Sequence, residues 1–422
     1  MSNNQSNIKF SVIIPTRERH DTLRWTLQTC VSQDYCDLEI IVSDNFSQDD
    51  TRGVVDSFHD SRIRYFNSGK RLSMSHNWEF GLSHATGDYV AFVGDDDGLM
   101  PDGLEYARKL INETKTAALI CRKPLYYWSN HLIPEYKNKL AFPLKDFVQR
   151  IDSQELLNRI TNFEGLEKAP LIYDGFIKKD VLDEIKNKSG QFFYSQIPDV
   201  YSAIAVLGTI SDYYFSTKPF LIQGISGHST GASYLVQGGT SKPAKEFYSE
   251  ENIPFHPNLL SSPSPYILMA ESLLQAREHV RTSSSYDFDI KVLVNKAMEN
   301  AVGMSSEKYR SVTESVKYIG ETYTIQDYVA RKIEQYPNRP GEQQPFQRGY
   351  NFLKDTLLVN LNEDMVGDIY HASIECDRIR HNISFGDYLK YSTQYIFETM
   401  RRPGILAKVK NKLFSKDLRY SL

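Results

Sequence analysis

From Lys9 to Trp128 the chain alternates short apolar runs with helix-like segments, joined by connections of only a few residues. Phe10–Pro15 (FSVIIP), Leu38–Ser43 (LEIIVS), Ile63–Asn67, Tyr89–Val93 and Ala117–Cys121 read as strands. Between them, Leu23, Leu27, Cys30 and Val31 recur at helical spacing behind Asp21, a candidate cap. Thr51–Phe58 and Met74–Ala85 read as further helices, and Pro101 opens another with Leu104, Ala107 and Ile111 on one face. Strand–helix alternation at this spacing requires parallel strands with crossover helices. The fold class is therefore α/β, a mostly parallel sheet with helices on both faces.

In such sheets ligands bind beyond the carboxyl ends of the strands. One strand end stands out. Gly94-Asp95-Asp96-Asp97 follows Tyr89–Val93 directly, and three adjacent carboxylates repel one another unless a cation lies among them. The cluster is expected to hold a divalent metal against a diphosphate. The plainer reading is a solvated acidic turn with Asp97 as a helix cap. An EF-hand is excluded, because no Asp or Asn stands at position 99 and no Glu at the required distance.

The later chain is less regular. Between Trp128 and Leu171 the pattern loosens around Pro134 and Pro143. Leu171–Phe176 reads as a strand, Lys179–Ile185 as a helix, Asp199–Gly208 as a helix capped by Asp199, and Tyr213–Ile225 as strands. Gly224–Gly239 is a Gly/Ser-rich loop. Beyond Pro257 the signals are helical, at Tyr266–Val280, Asp289–Val302, Gln326–Gln335 and Tyr350–Leu361.

A chain of 422 residues exceeds one ordinary core. The division expected is a domain over 1–255 with halves at 9–128 and 129–255, a helical domain or oligomerisation element over 256–400, and a basic tail over 401–422. That tail carries seven Lys/Arg against Asp417, so the formal charge of −4 conceals a basic end on an acidic body. Ile405, Leu406, Val409, Leu413 and Phe414 form its apolar stripe, which suits an anionic membrane leaflet or docking on the chain's own acidic surface. Four scattered cysteines without a CxxC pair suit a reducing cytosol, and MSNNQSNIKF lacks a signal peptide's apolar run. The expected location is cytoplasmic, with peripheral contact on the inner face of the plasma membrane. The only basic patch lacks interleaved base-stacking motifs, so nucleic acid is not an expected partner.

The strand-end residues coincide with a known pattern. Pro15-Thr16-Arg17-Glu18, Ser43-Asp44-Asn45 with Ser47, Lys70-Arg71 before a helix carrying Asn77, and Gly87–Asp97 with Pro101 behind it follow one another in order. Together they resemble the nucleotide-sugar-binding half of a GT-A glycosyltransferase of family 2, an inverting type, over roughly Lys9–Ile111. The resemblance implies that Pro15, Thr16, Arg17, Glu18, Asp44 and Asn45 surround the base and ribose, with Arg71, Asn77, Asp95 and Asp96 toward the diphosphate. Asp95, Asp96, Asp97 and His228 are the implied ligands of Mn²⁺ or Mg²⁺. Gly94 stands where the family's first aspartate usually does. Asp199 is the implied base, ahead of Asp174 and Asp180. Ordinary turn, cap and loop chemistry remains the alternative for Glu18, Asp44, Lys70, Arg71, Asp199 and His228. The expected activity is sugar transfer from a UDP-linked donor to a glycan or lipid-linked acceptor in bacterial capsule, O-antigen or lipopolysaccharide assembly. An inactive sugar- or nucleotide-binding scaffold and a sugar-1-phosphate nucleotidyltransferase are the rivals.

Overall fold

A computed structural model describes residues 7–228, 253–280, 286–339, 356–361 and 366–382. Strands β1 (Phe10–Thr16), β2 (Leu38–Asp44), β3 (Ile63–Asn67) and β4 (Tyr89–Phe92) lie parallel in the order β3-β2-β1-β4. β1 and β2 are buried on both faces because alternate residues face different cores. Ile13 and Ile41 join one apolar cluster, whereas Phe10, Val12, Ile14, Ile40 and Val42 join another. Helices α1 (His20–Val31) and α4 (Gly103–Thr114) cover the second face, and α3 (Met74–Ser83) covers the first. A short α2 (Thr51–Asp56) links β2 to β3.

Beyond β4 the sheet turns mixed. β6 (Ala118–Cys121), β9 (Val148–Asp152), β10 (Gly175–Lys178) and β11 (Asp212–Ser216) complete eight strands, with β10 antiparallel between β4 and β6. A second sheet has the order β13-β8-β7-β12-β5. Its members are β5 (Gly98–Leu99), β7 (Leu125–Tyr127), β8 (Lys139–Pro143), β12 (Leu221–Ile225) and β13 (Thr356–Asn360). β5 follows the aspartates at once and pairs with Leu221 and Ile222 of β12, which brings residues 224–226 alongside Asp96 and Asp97.

Helices α5 (Ser153–Ile160), α6 (Lys179–Ser189) and α7 (Pro198–Leu207) pack in the first core. The same core runs on without interruption into α8 (Pro265–His279), α9 (Ile290–Ala301), α10 (Ser306–Thr322) and α11 (Gln326–Gln335). The last described helix, α12 (Ile369–Asn382), lies against α1.

Several expectations are corrected. The helix expected over Tyr350–Leu361 is, in its described part, the strand β13, whose TLLVN run pairs with all five residues of β8. Pro101 does not open α4: Asp102 takes a left-handed φ of 53° and the helix begins at Gly103. Residues 171–174 turn, and the strand starts only at Gly175. The loosened stretch 129–170 contains β8, β9 and α5. Neither Asp21 nor Asp199 is a cap, since Arg19 and Ile197 occupy those positions. Among the described residues no helix is long and apolar enough to cross a membrane, and the cysteines are free. The tail 401–422 and most of the Gly/Ser loop, from residue 229 onward, lie outside the described residues.

Candidate active site

The acidic cluster is fixed from four directions. Thr16 at the end of β1 donates from Oγ1 to Asp95 at 2.8 Å, and Arg19 pairs with the same carboxylate at 2.9 Å. Arg19 also donates to the carbonyl oxygen of His228 at 2.5 Å. Asp96 accepts from the backbone N–H of Ser226 at 3.2 Å and from its hydroxyl at 2.6 Å, both on Oδ2. Asp97 accepts from the N–H of Gly224 at 2.7 Å, and the Tyr173 hydroxyl bonds it too. The Trp128 indole N–H reaches the Asp96 carbonyl at 3.1 Å, and Thr26 Oγ1 reaches that of Asp97 at 2.7 Å.

All three side chains are at most 5% exposed, so this is no solvated acidic turn. Burial, then the charges of Asp97 and Asp95, push the Asp96 carboxyl up to about 7, although Arg19 and Ser226 pull the other way. Burial raises Asp97 against the opposing Lys123 and its hydrogen bonds. Burial disfavours the Arg19 cation, but Asp95 and Asp96 outweigh it and keep the guanidinium charged.

These commitments decide how the cluster could take a cation. Among the described residues no group of three or more His, Cys, Asp or Glu side chains is arranged to hold a metal ion. The expected set of Asp95, Asp96, Asp97 and His228 therefore does not assemble. His228 directs its ring toward Asp21 at 3.7 Å and is half-exposed. Asp95 is neutralised by Arg19, and Asp97 is bound by Gly224 and Tyr173. Asp96 remains, a buried carboxylate whose Oδ1 has no hydrogen-bond partner among the described residues. A single hard-oxygen donor of this kind fits a cation otherwise bound by diphosphate and water, the usual habit of Mg²⁺.

At the neighbouring strand ends the expected residues divide. Asp44 is buried and accepts from Ser47 N–H at 3.0 Å, Asn67 Nδ2 at 2.7 Å and the Tyr65 hydroxyl. Asn45 holds both polar groups of Leu72, at 2.7 and 2.8 Å, and so fixes the loop before α3. Glu18, at φ 54°, accepts the N–H groups of Gln48 and Asp49 at 3.1 Å and pairs with Arg71 at 3.0 Å. Its carboxylate clasps the β2–α2 turn and places Arg71. Asn77 is buried against Ser43 near the end of β2, donating to its carbonyl at 3.2 Å and accepting from its hydroxyl at 3.1 Å. Pro15 and Arg17 are half-buried beside Thr16.

Asp199 occupies the first turn of α7 and accepts from Val200 N–H at 2.9 Å. Burial raises its proton affinity, Asp174 raises it further, and Lys123 lowers it. Sequence reading missed Arg19, Lys123, Tyr173 and Ser226. Two basic residues bracketing Glu18 are the one local sign of Arg19; the other three meet the cluster through contacts between distant segments.

Residues 11–172, well under half of the chain, match the family model described as Glycosyl transferase family 2. One relative, the GalNAc(5)-diNAcBac-PP-undecaprenol beta-1,3-glucosyltransferase of Campylobacter jejuni, is 41% identical over 108 residues, 25% of this chain and 35% of that one. A second, the UDP-Glc:alpha-D-GlcNAc-diphosphoundecaprenol beta-1,3-glucosyltransferase WfaP of Escherichia coli, is 33% identical over 87 residues, 21% of this chain and 35% of its own. The chain thus spans about a third of the length of these two relatives. Among solved structures, S. aureus TarS 1-349 in complex with UDP-GlcNAc aligns over 78% of this chain and 89% of that one, at 16% identity and TM-score 0.48.

Proposed function

We propose that the chain is a metal-dependent inverting glycosyltransferase, moving a sugar from a UDP-linked donor to a lipid-linked glycan in bacterial surface polysaccharide assembly. The observation that carries this reading is the meeting, at the ends of β1, β2 and β4, of Asp44, Arg71 and a buried cluster in which Asp96 keeps one oxygen without a hydrogen-bond partner among the described residues. Asp44 and Arg71 would bind the nucleotide, and Asp96 would hold Mn²⁺ or Mg²⁺. Such a cation supplies positive charge to the departing diphosphate. Asp199 would take the proton of the acceptor hydroxyl as its oxygen bonds to the anomeric carbon and the bond to the diphosphate breaks. Relatives named for acting on undecaprenol-linked glycans support the acceptor class, and their names make UDP-glucose the first donor to try. The basic tail would hold the enzyme against the anionic leaflet that carries such an acceptor.

Release of nucleoside diphosphate from UDP-glucose, UDP-GlcNAc, UDP-GalNAc and GDP-mannose, with and without Mn²⁺, tests the proposal. A UDP-sugar should turn over only with the cation, and Asp96→Asn and Asp199→Asn should each lower kcat by roughly 10²–10⁴-fold. A folded protein that binds UDP yet turns over none of the four donors would be a binding scaffold instead.

A further inference from the structure

Glu271 stands in the middle of α8, fully buried, and the reaction above gives it no task. The groups that hold it are all neutral donors from three segments. They are the Ser195 hydroxyl in the loop before α7, the Gln275 amide at 2.8 Å on the next turn of α8, and the His256 N–H. Burial pushes its carboxyl up to about 7, against the pull of these three bonds. A buried carboxylate without a counter-charge is costly, and an apolar side chain of similar size would pack α7 against α8 more cheaply. Ser195, also fully buried, is the node of the arrangement. Its carbonyl accepts from the Ser75 hydroxyl at 2.6 Å, in the first turn of the helix that follows Arg71. Its Oγ accepts the N–H of Ile197 at 3.2 Å, and Ile197 leads directly into the turn of α7 that carries Asp199. One serine thus joins α3, α8 and the start of α7.

We propose that Glu271 is a positioning residue that fixes Asp199 through Ser195, which makes the C-terminal helices part of the catalytic unit. The inference rests on the reading of Asp199 as the base. The arrangement calls for a carboxylate at 271. An ionised carboxylate only accepts, so the Ser195 proton points to it and the lone pairs of Oγ stay available to Ile197. An amide in the same place has one accepting oxygen. With that oxygen toward Gln275 and His256, its NH₂ faces Ser195 and reverses the bond. The Ser195 proton then turns to the Ser272 hydroxyl, 3.1 Å away. A charge-assisted bond is lost, and Ile197 has to share Oγ with a second donor. The segment around this node has further ties to the C-terminal side: Gln196 donates to the Ile253 carbonyl at 2.9 Å, and Gln275 to that of Pro254 at 3.0 Å.

Steady-state kinetics at pH 8, with amide exchange on the free protein, test this. Glu271→Gln should lower kcat about tenfold and Ser195→Ala about 10–100-fold, with the KM for the sugar donor changed by no more than about twofold. The double variant should be no slower than Ser195→Ala, because Glu271 acts through that hydroxyl. The Ile197 amide should exchange about tenfold faster in each variant. Glu271→Gln should nonetheless melt no earlier than wild type at this pH, since a buried charge is gone. A plain packing role gives the opposite pattern, a lower melting temperature with kcat unchanged in the folded variants. That pattern overturns the proposal, and so do additive losses in the double variant. If Glu271→Gln fails to fold, Ser195→Ala decides, and wild-type kcat and Ile197 exchange there overturn it. Full activity in Asp199→Asn would refute the base reading instead. The exchange measurement needs no turnover, so an unchanged Ile197 rate overturns the link in an active or an inactive protein alike.

Discussion

Asp96 combines full burial, two like charges beside it and an unused oxygen, and each of these destabilises its anion. Its carboxyl is raised from an ordinary value near 3.8 to about 7, so the native state keeps a proton that the unfolded chain has released. Stability attributable to this group is therefore unaffected below about pH 4 and falls as pH rises toward 7. Asp96→Asn should be more stable than wild type at pH 8 in cation-free buffer, by about 2–4 kcal/mol, with the gap closing by pH 4. Urea unfolding with a chelator at the two pH values measures this. Equal stability at pH 8 would mean that the carboxylate is compensated after all. A substitution that stabilises the fold while abolishing turnover is the mark of a strained functional residue. The neighbouring Gly94 has a steric explanation. A Cβ there would lie 2.5 Å from the Tyr173 hydroxyl and 3.1 Å from Asp97, so the space of the family's usual first aspartate is taken by the tyrosine that bonds Asp97.

At the scale of elements, the end of the sheet opposite the site has its own charged fastening. Glu39, near the start of β2, accepts from the Ser11 hydroxyl at 2.5 Å, the N–H groups of Thr86 and Gly87 at 2.5 and 3.1 Å, and Arg64 at 2.7 Å. Burial would raise it, but these bonds bring it down to about 2. The sign is the reverse of that for Asp96: its stabilisation is complete above about pH 4.5 and lost as pH falls through 2. Glu39→Gln should cost about 1–2 kcal/mol at pH 7, roughly half the linkage value because Lys9 and Arg64 open to solvent, and less at pH 3. Donor turnover should survive, because the substitution lies a strand's length from the cluster; its loss would show that the sheet transmits the change. β1 to β4 were legible in the sequence because each is an apolar run between turn residues, a local signal. β9 and β13 were not, because Val-Gln-Arg-Ile-Asp and Thr-Leu-Leu-Val-Asn become strands only against β11 and β8. The site divides in the same way. Aspartates at strand ends could be read, whereas the Glu18 clasp needs a left-handed residue, and Arg19 meets Asp95 across 76 positions.

For the whole molecule, the position of the acidic cluster depends on chain more than 250 residues away from it. β12 supplies the N–H of Gly224 to Asp97, and β12 belongs to the sheet that β13 closes. Behind that sheet Ile369, Ala372 and Cys376 of α12 pack with Tyr126, Phe142 and Ile222 in one core, and His371 meets the Trp25 ring of α1 at 5.8 Å. Gly224 leaves no slack in this arrangement, since a Cβ there would sit 1.8 Å from the Asp96 carbonyl. Ile369, fully buried, therefore supports the site through two layers of packing. Ile369→Ala should cost about 2–4 kcal/mol. If the core acts as one unit, amide exchange should accelerate in Leu221–Ile225 and Lys139–Pro143 as well as in Thr356–Asn360, with a single unfolding transition. Acceleration confined to 356–382, with β12 still protected, would show instead that the C-terminal elements fold apart from the site and only lean on it. The shared apolar core favours the first outcome, because α12 and β12 bury side chains against each other rather than across a hydrated boundary.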